Sequence, residues 1–157
     1  MLTPESLQKI DREIAKYPSG KQQSAVISAL GIAQDEKGWI SEETIDFIAG
    51  YLGMPPMAVY EVASFYGMYN LEPVGKYKLT VCTNLPCMLS GGVDAAEYLK
   101  QKLGIGFNET TPDGKYTLAE GECMGACGDA PVLLVNYRRM CRSMLPEEID
   151  KLLAELE

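Results

Sequence analysis

The chain has 157 residues, 46% of them apolar and 23% charged, ordinary proportions for a globular protein long enough to bury a core. Acidic side chains outnumber basic ones by 22 to 14, a net charge of −8, which argues against nucleic-acid binding because phosphate recognition needs a basic face. Histidine is absent, so imidazole bases and mixed Cys/His zinc sites are excluded.

No stretch approaches the roughly 18 uninterrupted apolar residues of a membrane span. The amphipathic, mixed-charge opening MLTPESLQKIDREIAKYP lacks the apolar run of a secretory signal. The expectation is a soluble, cytoplasmic chain without direct membrane insertion. Five cysteines in such a chain argue against a disulfide framework.

Residues 1–72 predict a helical module. Thr3 is placed to cap a helix with Pro4 at its first position and Glu5 in its first turn, while Leu2 and Leu7 fit a hydrophobic staple. Leu7, Ile10 and Ile14 continue the apolar stripe until Tyr17-Pro18-Ser19-Gly20 ends it. A second helix is expected from about Gln22 to Gln34, with Val26, Ile27 and Leu30 among its apolar positions. Ser41 caps a third, whose stripe Ile45, Ile48, Ala49 and Leu52 follows the helical period before Gly53 stops it. Pro55-Pro56 opens a fourth, with Val59, Val62, Ala63 and Tyr66 directed inward.

The texture changes around Pro73, and residues 73–157 predict a second, mixed domain. Lys76 to Cys82 alternates polar and apolar residues, the period of a half-buried strand. Leu89 to Leu103 is helical, with Val93, Ala96, Leu99 and Leu103 on one face. Pro112-Asp113-Gly114 turns between short extended pieces, the second being Lys115 to Ala119. Pro131 to Val135 is an apolar strand, Asn136-Tyr137 a turn, and Arg138 to Met144 the return strand. A last helix follows Pro146, with Ile149, Leu152, Leu153 and Leu156 apolar. The order β-α-β-β-β-α, or a close variant, gives an α+β chain: an N-terminal helical bundle, then an α/β domain of thioredoxin-like type.

Four cysteines form two pairs, Cys82-x4-Cys87 and Cys123-x3-Cys127, each in a loop rich in glycine or proline. Each pair follows an expected strand, so both loops can meet at one sheet edge. Three or four intervening residues let two sulfurs of a pair reach one iron, and two pairs suit a [2Fe–2S] centre that moves single electrons. Gly121, Gly125 and Gly128 allow backbone N–H groups to approach sulfur, while Pro86 and Pro131 stiffen the rims. A four-cysteine zinc site is the rival, although zinc sites favour CxxC knuckles, which are absent here. A [4Fe–4S] cluster also takes four cysteines, but the two-plus-two spacing prefers two irons. Disulfide exchange lacks its CxxC motif. Cys141, in RRMCRSM, has no partner at ligand spacing and reads as a structural or free thiol.

The segment Cys123-Met124-Gly125-Ala126-Cys127-Gly128-Asp129-Ala130-Pro131 resembles the second cysteine signature of the thioredoxin-like [2Fe–2S] subunits of respiratory NADH:quinone oxidoreductase (complex I). Asp113-x-x-Tyr116-Thr117, Val62-Ala63-Ser64-Phe65-Tyr66, Pro73-Val74-Gly75-Lys76 and Val81-Cys82-Thr83-Asn84-Leu85-Pro86-Cys87 are also similar to family segments, with Tyr116 where Phe is usual. The resemblance covers nearly the whole chain and implies Cys82, Cys87, Cys123 and Cys127 as ligands of one [2Fe–2S] cluster. It further implies that FMN and NADH are bound by a partner flavoprotein subunit, with further peripheral-arm subunits as neighbours. The complex would then lie on the cytoplasmic side of the inner membrane.

No GxGxxG follows a strand, in keeping with a chain that has no nicotinamide site. Catalysis is expected only through the complex, with no catalytic residue here. The N-terminal helices would clasp the flavoprotein, with Phe65, Tyr66, Met68 and Tyr69 either as contact candidates or as packing between the two modules of the chain. An equivalent subunit of an NAD-linked hydrogenase or formate dehydrogenase is the alternative, and a zinc-binding structural adaptor a more distant one. One segment departs from the family pattern: Asn136 to Arg142 brings Arg138, Arg139 and Arg142 together, and Leu145 stands where a Thr or Ser cap is usual. The arginines are read as a solvated hairpin or a docking patch.

Overall fold

Thr3 starts the first helix as its chemistry requires. Its backbone is extended, its hydroxyl accepts from the Ser6 N–H at 3.3 Å, and Pro4 opens α1 (Pro4–Ile14) without wasting a donor. The same hydroxyl donates to Glu36 at 2.8 Å, tying the helix start to α2 (Val26–Lys37). Hydrogen bonds from Ser6 and then from the Thr3 backbone draw the Glu36 carboxyl down to about 2. The computed structural model describes residues 1–156, which divide into two units, Met1–Pro73 and a second beginning at Val74.

In the first unit, the helix expected from Gln22 is divided. Gln22–Ala25 winds as a 3-10 turn, and the α-helix begins only at Val26 and runs on to Lys37. Neither Lys21 nor Ala25 caps with its side chain, which leaves the first turn to the tighter i→i+3 pattern. Gly38, at φ +83°, closes α2 with its N–H on the Gln34 carbonyl at 2.7 Å. Ser41 accepts from the Thr44 N–H at 3.2 Å to cap α3 (Glu42–Leu52), and left-handed Gly53 ends it. α4 spans Pro56–Phe65.

These helices enclose a core that includes Ile10, Leu30, Ile40, Ile48, Leu52 and Val59. Each such aliphatic side chain contributes about 1.5–3 kcal/mol by leaving water. Val59 and Ala63 point inward as expected, but Tyr66 does not: it lies past the last turn of α4, in extended backbone, and is exposed. Phe65 is 78% exposed, whereas Tyr69 is only 6% exposed. The Tyr69 hydroxyl donates to the Ile27 carbonyl at 2.7 Å, and burial raises its phenol to about 12. Gln34 holds the same segment from both ends of its amide, donating to the Met68 carbonyl at 2.9 Å and accepting from the Asn70 N–H at 2.6 Å. Tyr69 and the half-buried Met68 therefore pack inside the unit, not on its surface.

The second unit is built on β1 (Tyr77–Cys82), β2 (Glu109–Thr110), β3 (Tyr116–Gly121), β4 (Leu133–Val135) and β5 (Arg139–Cys141). They form one five-stranded sheet in the order β2-β3-β1-β4-β5, with β1 and β3 parallel and the other pairs antiparallel. β2 is the first of the short extended pieces expected around Pro112-Asp113-Gly114, two exposed residues paired with β3, and it brings the strands to five where the expected order had four. Asn136 and Tyr137, at φ +51° and +54°, turn the chain between β4 and β5. The Asn136 side chain also accepts from the Lys78 N–H at 2.7 Å and donates to the Lys76 carbonyl at 3.1 Å, extending the pairing of β1.

The helix expected over 89–103 is α6 (Gly92–Leu103), which starts three residues later, and a short separate helix, α5 (Leu85–Leu89), precedes it across left-handed Gly91. Gly92, Ala95, Ala96 and Leu99 form the buried face of α6, leaving Val93 exposed, contrary to the apolar pattern. Small residues sit inward because α6 lies close over β1 and β3. α7 (Pro146–Glu155) completes the core with Ile149 and Leu152, followed by Leu156.

Tyr69→Phe should keep the ring and lose the hydroxyl's bond to a carbonyl that lies within α2. We expect a loss of roughly 0.5–1.5 kcal/mol, measured by urea unfolding of the whole protein. A wild-type unfolding midpoint would show that this bond does not hold the segment.

Candidate metal centre

Cys82 is the last residue of β1, and the parallel register places it opposite Gly121, the last residue of β3. Both strands run the same way, so the segments carrying the two cysteine pairs leave the sheet at one edge. The Cys82 N–H donates to the Val132 carbonyl at 3.1 Å, which keeps the strand end aligned with the approach to β4.

Cys87 sits in α5, and Gly92 determines how closely that turn folds back. A Cβ on Gly92 would lie 2.8 Å from both the Cys82 and Cys87 carbonyl oxygens, nearer than side-chain carbon tolerates. On the other loop, a Cβ at Gly121 would meet the Thr80 side chain at 2.6 Å and the Met124 methyl at 3.0 Å. Gly125, at φ +73°, reverses the chain between Cys123 and Cys127. The Ser143 N–H on the Asp129 carbonyl and the Met144 N–H on the Pro131 carbonyl, both 2.9 Å, anchor the exit of this loop. Gly128, like Gly125, has no protein atom within 4 Å of where a Cβ would stand.

The four thiols are unequal. Cys82 and Cys87 are 1% and 2% exposed and form a small buried cluster with Val132, whereas Cys123 and Cys127 are exposed. Cys123 Sγ and Cys127 Sγ stand 3.8 Å apart. Burial, and after it the hydrogen bond with Cys82, push the Cys87 thiol up, while a backbone hydrogen bond from Val132 pulls the other way. Cys127 is raised first by its bond to Cys123 and by that neighbour's charge. Cys127 also acts on Cys87, and Cys82 on Cys127, so the two pairs lie within electrostatic reach of one another.

Such crowded sulfurs resist ionising together unless a cation shares them. The two irons and two sulfides of an oxidised [2Fe–2S] core supply that positive charge, and the donor set therefore fits the group. Among the described residues, no three His, Cys, Asp or Glu side chains gather as ligands of a single ion.

Two hydrogen bonds join the loops. Thr83 Oγ1 donates to Glu120 Oε1 at 2.6 Å, and Asn84 Nδ2 donates to Glu122 Oε2 at 2.7 Å. Sequence reasoning missed these residues, together with Gly92 and Val132. The only linear hint was the position of Thr83-Asn84 just after Cys82, and of Glu120 and Glu122 just before Cys123.

Cys141 lies apart from this group, buried in the core between sheet and helices, where desolvation raises its thiol. Arg139 forms a two-pronged ion pair with Glu155 at 2.7 and 2.8 Å, and Arg142 lies 3.8 Å from Asp129. Arg138 is engaged as well. The arginine segment is thus largely occupied within the chain.

The family profile described as thioredoxin-like [2Fe–2S] ferredoxin matches residues 10–157, and the chain belongs to that family, whose group is one [2Fe–2S] cluster. Among its relatives is the mitochondrial NADH dehydrogenase [ubiquinone] flavoprotein 2 of Dictyostelium discoideum, 47% identical over 85% of this chain and 55% of that protein. Another is an NADH-quinone oxidoreductase subunit of Rickettsia typhi, 43% identical over 91% of this chain and 86% of the relative. The chain thus spans about half of the first and most of the second. A crystal structure of an NAD+-reducing [NiFe]-hydrogenase in the air-oxidized state shares the fold, with a TM-score of 0.72 and 20% identity. The match covers 83% of this chain and 22% of that one.

Gly92→Ala is expected to destabilise the second unit by about 1–3 kcal/mol through overpacking, read by denaturant unfolding. Gly31→Ala, in α2 with open space around it, should be neutral or stabilising by about 0.5–1 kcal/mol. Equal behaviour of the two variants would show that the approach at Gly92 is not tight.

Proposed function

We propose that Cys82, Cys87, Cys123 and Cys127 ligate one [2Fe–2S] cluster, the buried pair holding one iron and the exposed pair the other. The observation that carries this reading is the parallel register of β1 and β3, which sends the segments bearing both sulfur pairs off the same end of the sheet. When bound, the cluster supplies reversible one-electron storage. The chain's part is to bury one sulfur pair, direct the Val132 N–H to Cys87, and leave the other pair accessible. A single zinc is supported less, because four-cysteine zinc sites favour CxxC knuckles, and neither pair has that spacing.

The function is electron transfer within an NADH:quinone oxidoreductase, in exchange with the FMN of a partner flavoprotein subunit that also binds NADH. Two relatives above 40% identity carry NADH dehydrogenase or NADH-quinone oxidoreductase names, and this supports the respiratory assembly over a hydrogenase. Residues 1–72 serve as the module that clasps the flavoprotein, and residues 73–157 hold the cluster. α4 offers a suitable apolar face, with Met57 66%, Tyr60 45% and Phe65 78% exposed. Among the described residues no helix is long and apolar enough to cross a membrane. The chain accordingly reaches the cytoplasmic face of the inner membrane through its complex.

The test is low-temperature EPR of anaerobically purified protein before and after dithionite, with iron, sulfide and zinc assayed together. We expect a silent oxidised state, a rhombic spin-half signal on reduction, and equal iron and sulfide. Cys141→Ser should retain that signal, whereas Cys123→Ser should lose or alter it. Zinc without sulfide, or a native signal in Cys123→Ser, would overturn the ligand assignment.

A further inference from the structure

We infer that Glu120 and Glu122 are positioning residues, which latch the two cysteine loops together and hold the two sulfur pairs at the spacing a shared cluster needs. The inference rests on the ligand reading above and concerns side chains outside the ligand set.

Pairing of β1 with β3 ends at Cys82 and Gly121. Beyond that point the sheet no longer sets the distance between the segments carrying Cys87 and Cys123. Thr83 and Asn84 are the first two residues past the end of β1, while Glu120 and Glu122 flank Gly121 at the end of β3. Their hydrogen bonds tie both residues to the end of β3: Thr83 reaches back to Glu120, the ladder residue opposite Val81, at 2.6 Å, and Asn84 reaches Glu122, just past the last pair, at 2.7 Å. Each carboxylate accepts from a neutral donor, so neither bond depends on a counter-charge. Glu122 directly precedes Cys123, and a shift of its backbone moves that sulfur against the buried Cys82–Cys87 pair.

Both glutamates are exposed, and on an exposed strand end a carboxylate is free to rotate into water. Each is instead turned onto the opposite loop, and the two contacts fall on consecutive donors. This arrangement separates a latch from two chance surface contacts.

The experiment compares Glu120→Ala, Glu122→Ala, Glu122→Gln, Asn84→Ala and the Glu122→Ala/Asn84→Ala double variant in the whole protein loaded with its cluster. Readouts are the rate of iron release to a ferrous chelator, the midpoint potential, the EPR anisotropy and the thermal unfolding of the cluster-free chain. The alanine variants should release iron several-fold faster and change the EPR anisotropy, with cluster-free unfolding unchanged. Glu122→Gln keeps an acceptor for Asn84, so its release rate should stay near wild type while removal of a negative charge moves the potential upward. The double variant should release no faster than either single one, because both remove the same bond. Wild-type release from the alanine variants, additive effects in the double variant, or a glutamine variant as leaky as alanine would each overturn the latch. A wild-type protein that binds no iron would instead remove the ligand reading.

Discussion

Parallel pairing of β1 with β3 governs the site, because it is what sends two distant segments off the same edge of one sheet. Cys82 and Cys123 are separated by α5, α6, β2 and β3, yet the register that sets Cys82 opposite Gly121 brings their loops together. A parallel pair needs a crossover, and α6 supplies it. The crossover can lie close because its inward positions are Gly92, Ala95 and Ala96. The small side chains of α6 and the position of the sulfurs are therefore consequences of one packing requirement.

The site that results is lopsided. Cys82 and Cys87 are sealed with Val132, and Cys123 and Cys127 face solvent. A sulfur pair removed from water disfavours added negative charge, and a backbone N–H from Val132 offsets part of that cost for Cys87. On the proposed ligand reading, these opposing effects act on a cluster carried by a chain of net charge −8. The exposed pair is the side on which a partner could approach.

Much of the fold could be read directly from the chain because its signals are local. Thr3, Ser41 and Gly53 place helix ends through bonds that reach only a few residues. The stripe Ile45, Ile48, Ala49 and Leu52 is buried throughout. Readings failed where a neighbour in space decided the outcome. Val93 looked inward by periodicity but lies outside, because Gly92 takes the inward position at the start of α6, against the Cys82 and Cys87 carbonyls. Tyr66 continued the apolar stripe of α4 past the point where the helix stops, while Tyr69 and Met68 were drawn inside by Ile27 and Gln34.

For the site the division is the same. Cysteine spacing, the absence of histidine and the glycines around the second pair were enough to point to four thiols and to favour an iron–sulfur centre over zinc, since loop reach is a property of the chain itself. The sequence by itself thus determined which residues are available and how far each loop can stretch. Only the tertiary structure decided which pair is buried, that Gly92 must lack a Cβ, and that Thr83 and Asn84 meet Glu120 and Glu122. Those outcomes depend on groups more than thirty residues apart, or on another segment's carbonyl oxygens, and no local pattern encodes such a meeting.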